Sequence, residues 1–326
     1  MLPPTTRPHP GDLLDHYQLQ SLVSSSTRTD VFRAIDTRTH KTVAIKIPHL
    51  EIEGDSTSQD RFYREEEIET KLDHPGIMKI FPNPNRSQVY IVMEWLEGKL
   101  LRQILIEETP LPADRTTKLV VGVCDAFEYI HNRGIFLRDL KPESIMVDSE
   151  NRIKLFDFGF AALVGARRLT FANLSASLGT PDYISPEQVQ GKHGNARSDI
   201  YSLGAILYEM LTGAVPFPGT NPFEVMNKRL QSNPIPPTQI NSAITPQMQE
   251  IIYRALERDP INRYASAREF AHDLRHPEQV GISVRSRPSG QKAFTAKWRS
   301  RGLVYLAIAL LPLLIFVLLI FVSRHH

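Results

Sequence analysis

One stretch constrains the rest of this chain: residues 136–159, FLRDLKPESIMVDSENRIKLFDFG. Residues 138–142 read as a turn and 145–147 as a short strand. A polar hairpin tip leads to a second strand at 153–156. Asp139 lies in the turn, Asp157 follows the second strand, and Lys141 stands two residues after Asp139. One carboxylate can take the proton of an attacking hydroxyl and the other can hold Mg2+. The ammonium can neutralise a moving phosphate. The stretch therefore points to phosphoryl transfer.

The chain has 326 residues, enough for one large domain or two ordinary ones. Hydrophobic content of 41% and charged content of 23% fit a globular protein with an ample core. A net charge of +2 gives no push toward nucleic acid, and none is expected as a partner. The single cysteine, Cys124, lies in an apolar helical pattern and reads as a small buried side chain. No CxxC, HExxH or GxSxG motif occurs, which removes the zinc and hydrolase-elbow readings. No internal repeat is visible.

Residues 1–15 are expected to be a disordered tail, without the charged-then-apolar pattern of a signal peptide. At the other end, residues 303–322 form an uncharged run of 20. At about 1.5 Å per residue it spans roughly 30 Å, a hydrocarbon thickness, and is expected to be a transmembrane helix rather than a core helix. Residues 277–302 form a basic linker with Arg285, Arg287, Lys292, Lys297, Arg299 and Arg301 against Glu278. Positive charge stays on the cytoplasmic side, so the large N-terminal part should face the cytosol. The linker reads equally as a lipid-attracting segment or a solvated spacer. Only residues 323–326 would remain outside.

Residues 17–23, 30–35, 42–47 and 89–93 read as strands, and 59–72 as a charged helix ended by His74-Pro75-Gly76. From Ala113 the pattern turns helical, with Gly134 expected as the C-cap. Asp199 is expected to cap a nearly all-apolar helix that Gly213 ends. Residues 246–256 and 266–274 read as two more helices. Strands first and helices afterward give an α+β, two-lobe architecture with a cleft between lobes.

The motifs resemble those of protein kinases, and Asp139-Leu140-Lys141-Pro142 resembles the Ser/Thr branch. The resemblance covers about residues 17–274, so a kinase domain is expected at 16–276, with an N-lobe at 16–96 and a C-lobe at 97–276. With the linker and apolar run, the chain is similar to bacterial membrane-anchored Ser/Thr kinases. That likeness implies a single-pass C-terminal anchor in the cell membrane, with the kinase domain cytosolic. It implies ATP with Mg2+ or Mn2+, a protein substrate bearing Ser or Thr, and a homodimer as one route to trans-autophosphorylation.

Residue by residue, the resemblance makes Asp139 the base and Lys141 the phosphate partner. Lys46 of VAIK would bind phosphates, with Glu65 as its ion-pair partner; Glu66 and Glu67 are neighbouring alternatives. Asp157 and Ser144 occupy the metal positions. The nucleotide would meet Val23, Ser24, Ser26, Thr29, Val31 and Ala44, and a hinge of Met93, Glu94 and Leu96. Arg138 could pair with a phosphate on the activation segment, where Thr170, Ser175 and Ser177 could accept one. Thr180 would brace the catalytic loop, and Glu187 would pair with Arg263.

Three departures from the family pattern matter, of which the first two weigh against full activity and the third, at Leu137, should be tolerated. The loop glycines of the family stand here as Ser24, Ser26 and Thr29, where positive φ would cost on the order of 1 kcal/mol or more, or the loop takes another shape. The second metal ligand, asparagine in the family, is Ser144, for which a rate loss of roughly 10²–10³-fold is expected. Leu137 replaces a packing histidine. Two readings follow: an active Ser/Thr kinase, favoured by Lys46, Asp139, Lys141 and Asp157 together, or a pseudokinase scaffold with weak or no ATP turnover.

Overall fold

The computed structural model describes residues 7–26, 29–49, 56–163 and 181–282. Thr170, Ser175, Ser177, Thr180, the linker from 283 onward and the apolar run 303–322 lie outside them. Among the described residues no helix is long and apolar enough to cross a membrane.

The N-lobe is a six-stranded antiparallel sheet in the order β1-β2-β3-β4-β6-β5. Its strands are β1 (Leu13–Leu14), β2 (Tyr17–Ser25), β3 (Thr29–Asp36), β4 (Thr42–Pro48), β5 (Ile80–Phe81) and β6 (Ile91–Glu94). Helix α1 (Ser56–Glu69) lies between β4 and β5 in the chain. Period-two burial fixes the register. Phe32, Ala34, Val43, Ile45 and Val92 pack in one cluster, and Ala44, Ile91 and Met93 in another.

Residues 7–15, expected in a disordered tail, instead fold onto this sheet. Leu13 and Leu14 pair with Gln18 and Tyr17, and the Arg7 guanidinium bonds the Asp30 carboxylate at 2.9 Å.

The C-lobe begins with β7 (Lys99–Leu100) and α2 (Leu101–Glu108), followed by α3 (Ala113–His131) and β8 (Ile135–Phe136). The hairpin β9 (Ile145–Val147) and β10 (Ile153–Leu155) comes next, then β11 (Ala162–Leu163). Six helices complete it: α4 (Pro186–Val189), α5 (Ala196–Thr212), α6 (Pro222–Gln231), α7 (Pro237–Ile240), α8 (Pro246–Ala255) and α9 (Ala267–Arg275). Leu119, Val120, Val123, Phe127 and Ile130 of α3 recur at helix spacing and are all buried in the main core. Cys124 is buried with them, and burial pushes its thiol well up, so it behaves as a small apolar side chain.

Two caps differ from expectation. The α5 N-cap is Asn195, whose side chain accepts from Arg197 N at 2.9 Å; Asp199 stands inside the first turn and faces the catalytic loop. The α3 C-cap is Asn132 rather than Gly134, which takes its positive φ of 72° two residues later. Gly213 does end α5, at φ 74°. Helices α2 and α6 have no counterpart in the sequence reading. Residues 277–282, assigned to the linker, belong to the folded unit that ends at Ile282, and Val280 packs on its core.

The lobes meet at the β9–β10 hairpin. Met78 N donates to Leu155 O at 2.8 Å and Leu155 N to Gly76 O at 2.9 Å. Met146 and Phe156 pack against the cluster that holds Ala44 and Met93, so one apolar patch is built from both lobes.

Candidate active site

Strand β4 presents Lys46 and helix α1 presents Glu65. The ammonium donates to both carboxylate oxygens, at 2.6 and 2.7 Å, and lies 4.0 Å from Asp157 Oδ1. Burial works against charge on Lys46, but Glu65 and then Asp157 outweigh it, so its pKa is raised and it stays cationic. The neighbouring acids are engaged elsewhere: Glu66 pairs with Arg86 and Glu67 with Lys71. Geometry thus selects Glu65 among the three.

A further acid on α1, Glu69, escaped the sequence reading. It is 1% exposed, and its Oε1 accepts from Phe158 N at 3.1 Å. Burial, and then the Glu65 charge, push its pKa well above the usual carboxylate range. The signal available was spacing: four residues after Glu65 and three before Leu72, Glu69 lies on the same inward face of the helix.

The catalytic loop is held from below. Asp199, fully buried, accepts from Leu137 N at 3.0 Å and Arg138 N at 2.8 Å. This steadies Arg138 in the left-handed region, φ 66°, where a non-glycine residue is strained. His131 of α3 bonds the same carboxylate at 2.8 Å and stacks on Phe127. Leu137 is itself buried in the main core. The Arg138 guanidinium bonds Gly194 O at 3.1 Å, so in this structure it is turned to the C-lobe backbone.

Beyond the turn, Lys141 Nζ bonds Asp139 Oδ2 at 3.1 Å. Burial lowers the Lys141 pKa, but Asp139 and then Asp157 raise it further, so the net direction is upward. The two acids and two lysines therefore form one electrostatic group. Ser144 is 4% exposed, and its hydroxyl donates to Lys141 O at 2.9 Å. It is tied into its own turn instead of facing the group.

On the nucleotide side, Val31, Ala44, Met93 and Leu96 share the apolar patch with Met146 and Phe156. Val23 is 51% exposed, where the β2–β3 register slips between Leu22 and Ser24. Glu94 N donates to Lys79 O at 2.9 Å and its carboxylate pairs with Lys154, so Glu94 itself serves the sheet. Of the two outcomes expected at the altered glycine positions, strain or another loop shape, the second holds: none of Ser24, Ser26 and Thr29 has positive φ. Ser26 and Thr29 close a different hairpin end. Ser26 N donates to Thr29 O at 2.9 Å, and Thr29 N donates to Ser26 Oγ at 3.0 Å.

Glu187 and Arg263 meet through bonds of 2.8 and 2.7 Å, and Ser198 Oγ adds a third at 2.6 Å. Arg229, only 1% exposed, holds the carbonyls of Pro181 and Asp182. Arg102 joins Glu143, Glu209 and Tyr183. The sequence reading missed both arginines, because they act across elements and follow no motif.

The protein kinase domain family matches residues 17–275. Serine/threonine-protein kinase PknB of Mycolicibacterium smegmatis is 35% identical over 270 residues, 81% of this chain and 43% of that relative. The PknB of Mycobacterium leprae is 36% identical over 275 residues, 83% of this chain and 44% of that relative. The chain thus spans less than half the length of the curated relatives it matches. A crystal structure of the Mycobacterium tuberculosis PknI kinase domain, carrying a cysteine-to-alanine mutation, superposes with a TM-score of 0.65 at 24% identity. It covers 84% of this chain and 100% of that one, which bears on the fold alone. With the paired lysine, the two acids and the bilobal frame all in place, the chain belongs to the protein kinase domain family, alongside bacterial Ser/Thr kinases.

Proposed function

We propose that the chain is a Ser/Thr protein kinase, transferring the γ-phosphoryl group of ATP to protein hydroxyls. The observation that carries this is Lys46 gripping Glu65 while facing Asp157, with Lys141 sensing both Asp139 and Asp157. Asp139 would orient the substrate hydroxyl and accept its proton. Lys46 and Lys141 would bind the phosphates. Mg2+ typically takes one or two carboxylates plus substrate phosphates, and Asp157 fits that donor set; Ser144, bonded to Lys141 O, does not fit as it stands. The bound ion, Mg2+ or Mn2+, would screen charge on the transferring phosphoryl group.

The test uses the full chain, labelled ATP and divalent ion, with Asp139→Asn beside it. Label on the protein or on a generic substrate that disappears in the variant supports the reading. Mapping the label to Thr170, Ser175, Ser177 or Thr180 would identify the activation-segment sites. A rate of self-labelling that rises with protein concentration would support the homodimer. The second reading, a pseudokinase scaffold, is favoured by the internally bonded Ser144 and by the hydroxyl-built loop. No label, and no nucleotide-dependent rise in melting temperature, would establish it.

The same proposal places the domain on the cytosolic face of the cell membrane, tethered by residues 303–322. Their length and lack of charge support this. Alkaline extraction of membranes tests it: the full chain should stay with the membrane, and a chain ending at Ile282 should be released.

A further inference from the structure

Glu65 and Glu69 lie four residues apart, so they share one face of α1. Glu65 reaches the β4 lysine. Glu69 reaches the other side of the site, where its Oε1 accepts the Phe158 backbone N–H across 89 residues of chain. Its Oε2 is buried without a hydrogen-bond partner among the described residues. A carboxyl in such a place is costly, and an apolar side chain of the same size would fill it without that cost. What an apolar side chain cannot supply is the acceptor.

The acceptor matters because of what it bonds. Phe158 opens the 3₁₀ turn Phe158–Phe160, and the first N–H groups of such a turn have no partner within it. Asp157 precedes it at φ 69°, ψ 62°, in the left-handed region, and its side chain makes no capping bond. A strained backbone of this kind persists only where its surroundings hold it. Phe158 is fully buried, and the carboxyl of Glu69 supplies the bond the turn lacks. We propose that Glu69 is a positioning residue for Asp157. Its Oε1 holds the Phe158 N–H, and with it the backbone turn that aims Asp157.

The inference rests on the kinase reading for its second arm only. In the first arm, hydrogen exchange is followed by mass spectrometry over residues 157–160 of the full chain, without nucleotide. Glu69→Met, which keeps volume and removes the acceptor, should exchange about tenfold faster there, the scale of one lost hydrogen bond. Glu69→Gln, which keeps a carbonyl acceptor, should exchange at the wild-type rate. In the second arm, binding of a non-hydrolysable ATP analogue is titrated with Mg2+. Glu69→Met should need about tenfold more Mg2+ for half-saturation, with affinity in the absence of Mg2+ little changed; Glu69→Gln should match wild type. Glu69→Leu is read beside Glu69→Met, so that a folding failure of one apolar variant does not decide the case. Unchanged exchange in a folded apolar variant, or Glu69→Gln exchanging as fast as Glu69→Met, overturns the proposal. If the wild-type chain binds no nucleotide, the kinase reading fails and the exchange arm still decides the role of Glu69.

Discussion

The Glu187 carboxylate and the Arg263 guanidinium, 76 residues apart, meet through two parallel hydrogen bonds of 2.8 and 2.7 Å. Both residues are buried, and Arg263 also donates to the carbonyls of Glu257 and Arg197. The pair fastens the segment after the activation loop to the turn before α9. Removing one partner strands the other charge in the interior. Arg263→Leu is therefore expected to cost about 3–5 kcal/mol in urea unfolding, and Glu187→Leu/Arg263→Leu together much less than the sum.

The same pair sets a pH dependence. Burial tends to raise the Glu187 pKa, but the Arg263 bonds outweigh it and hold the carboxyl below its usual value. The folded pKa lies below the unfolded one, about 4.3 for a glutamate, so the native state binds fewer protons in that range. The stabilisation is complete above that value and is lost as pH falls through the folded pKa. In thermal melts, the gap between wild type and Glu187→Gln should be wide at pH 7 and narrow steadily below about pH 4.

Lys46 carries the site's charge balance. Lys46→Met leaves Glu65 facing Asp157 and Glu69 with no cation between them. On the kinase reading, phosphoryl transfer should fall by roughly 10²–10³-fold, as for other single preorganised charges. The rise in melting temperature on adding Mg2+ and ATP should shrink as nucleotide affinity drops. An unchanged transfer rate would remove Lys46 from the chemistry.

Much of this was legible from the chain because the informative residues sit in short contiguous motifs. VAIK placed Lys46 on a strand, and the pattern around Asp139 and Asp157 placed a hairpin between them. The helices α3 and α5 followed from apolar spacing. What stayed hidden depends on contacts between distant segments. Asn195 caps α5 through Arg197 N, and Asp199, inside the helix, accepts from the backbone of Leu137 and Arg138, 62 and 61 residues away. Spacing places Glu69 on the inward face of α1, but not the Phe158 N–H that it meets there. The missing glycines at Ser24, Ser26 and Thr29 predict either strain or a loop of another shape. The loop takes the other shape, and the bonds that make it, from the Ser26 hydroxyl to the backbone of Thr29, cannot be read from a glycine pattern.

Close helix packing gives a further expectation. A Cβ added at Gly204 of α5 would lie 2.6 Å from Ala255 Cβ of α8, closer than two such carbons can approach. Alanine gains about 1 kcal/mol of intrinsic helix preference over glycine, but overpacking costs typically about 1–3 kcal/mol. Gly204→Ala should therefore be net destabilising in urea unfolding. Adding Ala255→Gly should recover part of the loss, because the overlapping carbon is gone; no recovery would mean that the helices do not touch there.

Ser144 offers the sharpest contrast between the two functional readings. Its hydroxyl donates to Lys141 O, and Lys141 N approaches it at 3.3 Å, so the serine closes its own turn. Ser144→Asn extends the side chain by one carbonyl-bearing unit and returns the residue that the family resemblance expects there. If the site is a working kinase short of one metal ligand, label transfer should rise about tenfold or more, and the Mg2+ concentration for half-maximal rate should fall. Asparagine can still accept from Lys141 N, so the turn should survive and the melting temperature should move little. If transfer stays at background while the variant folds and binds nucleotide, the deficit lies elsewhere. The hydroxyl-built loop would then be the next place to restore, with Ser24→Gly/Ser26→Gly as the pair to assay.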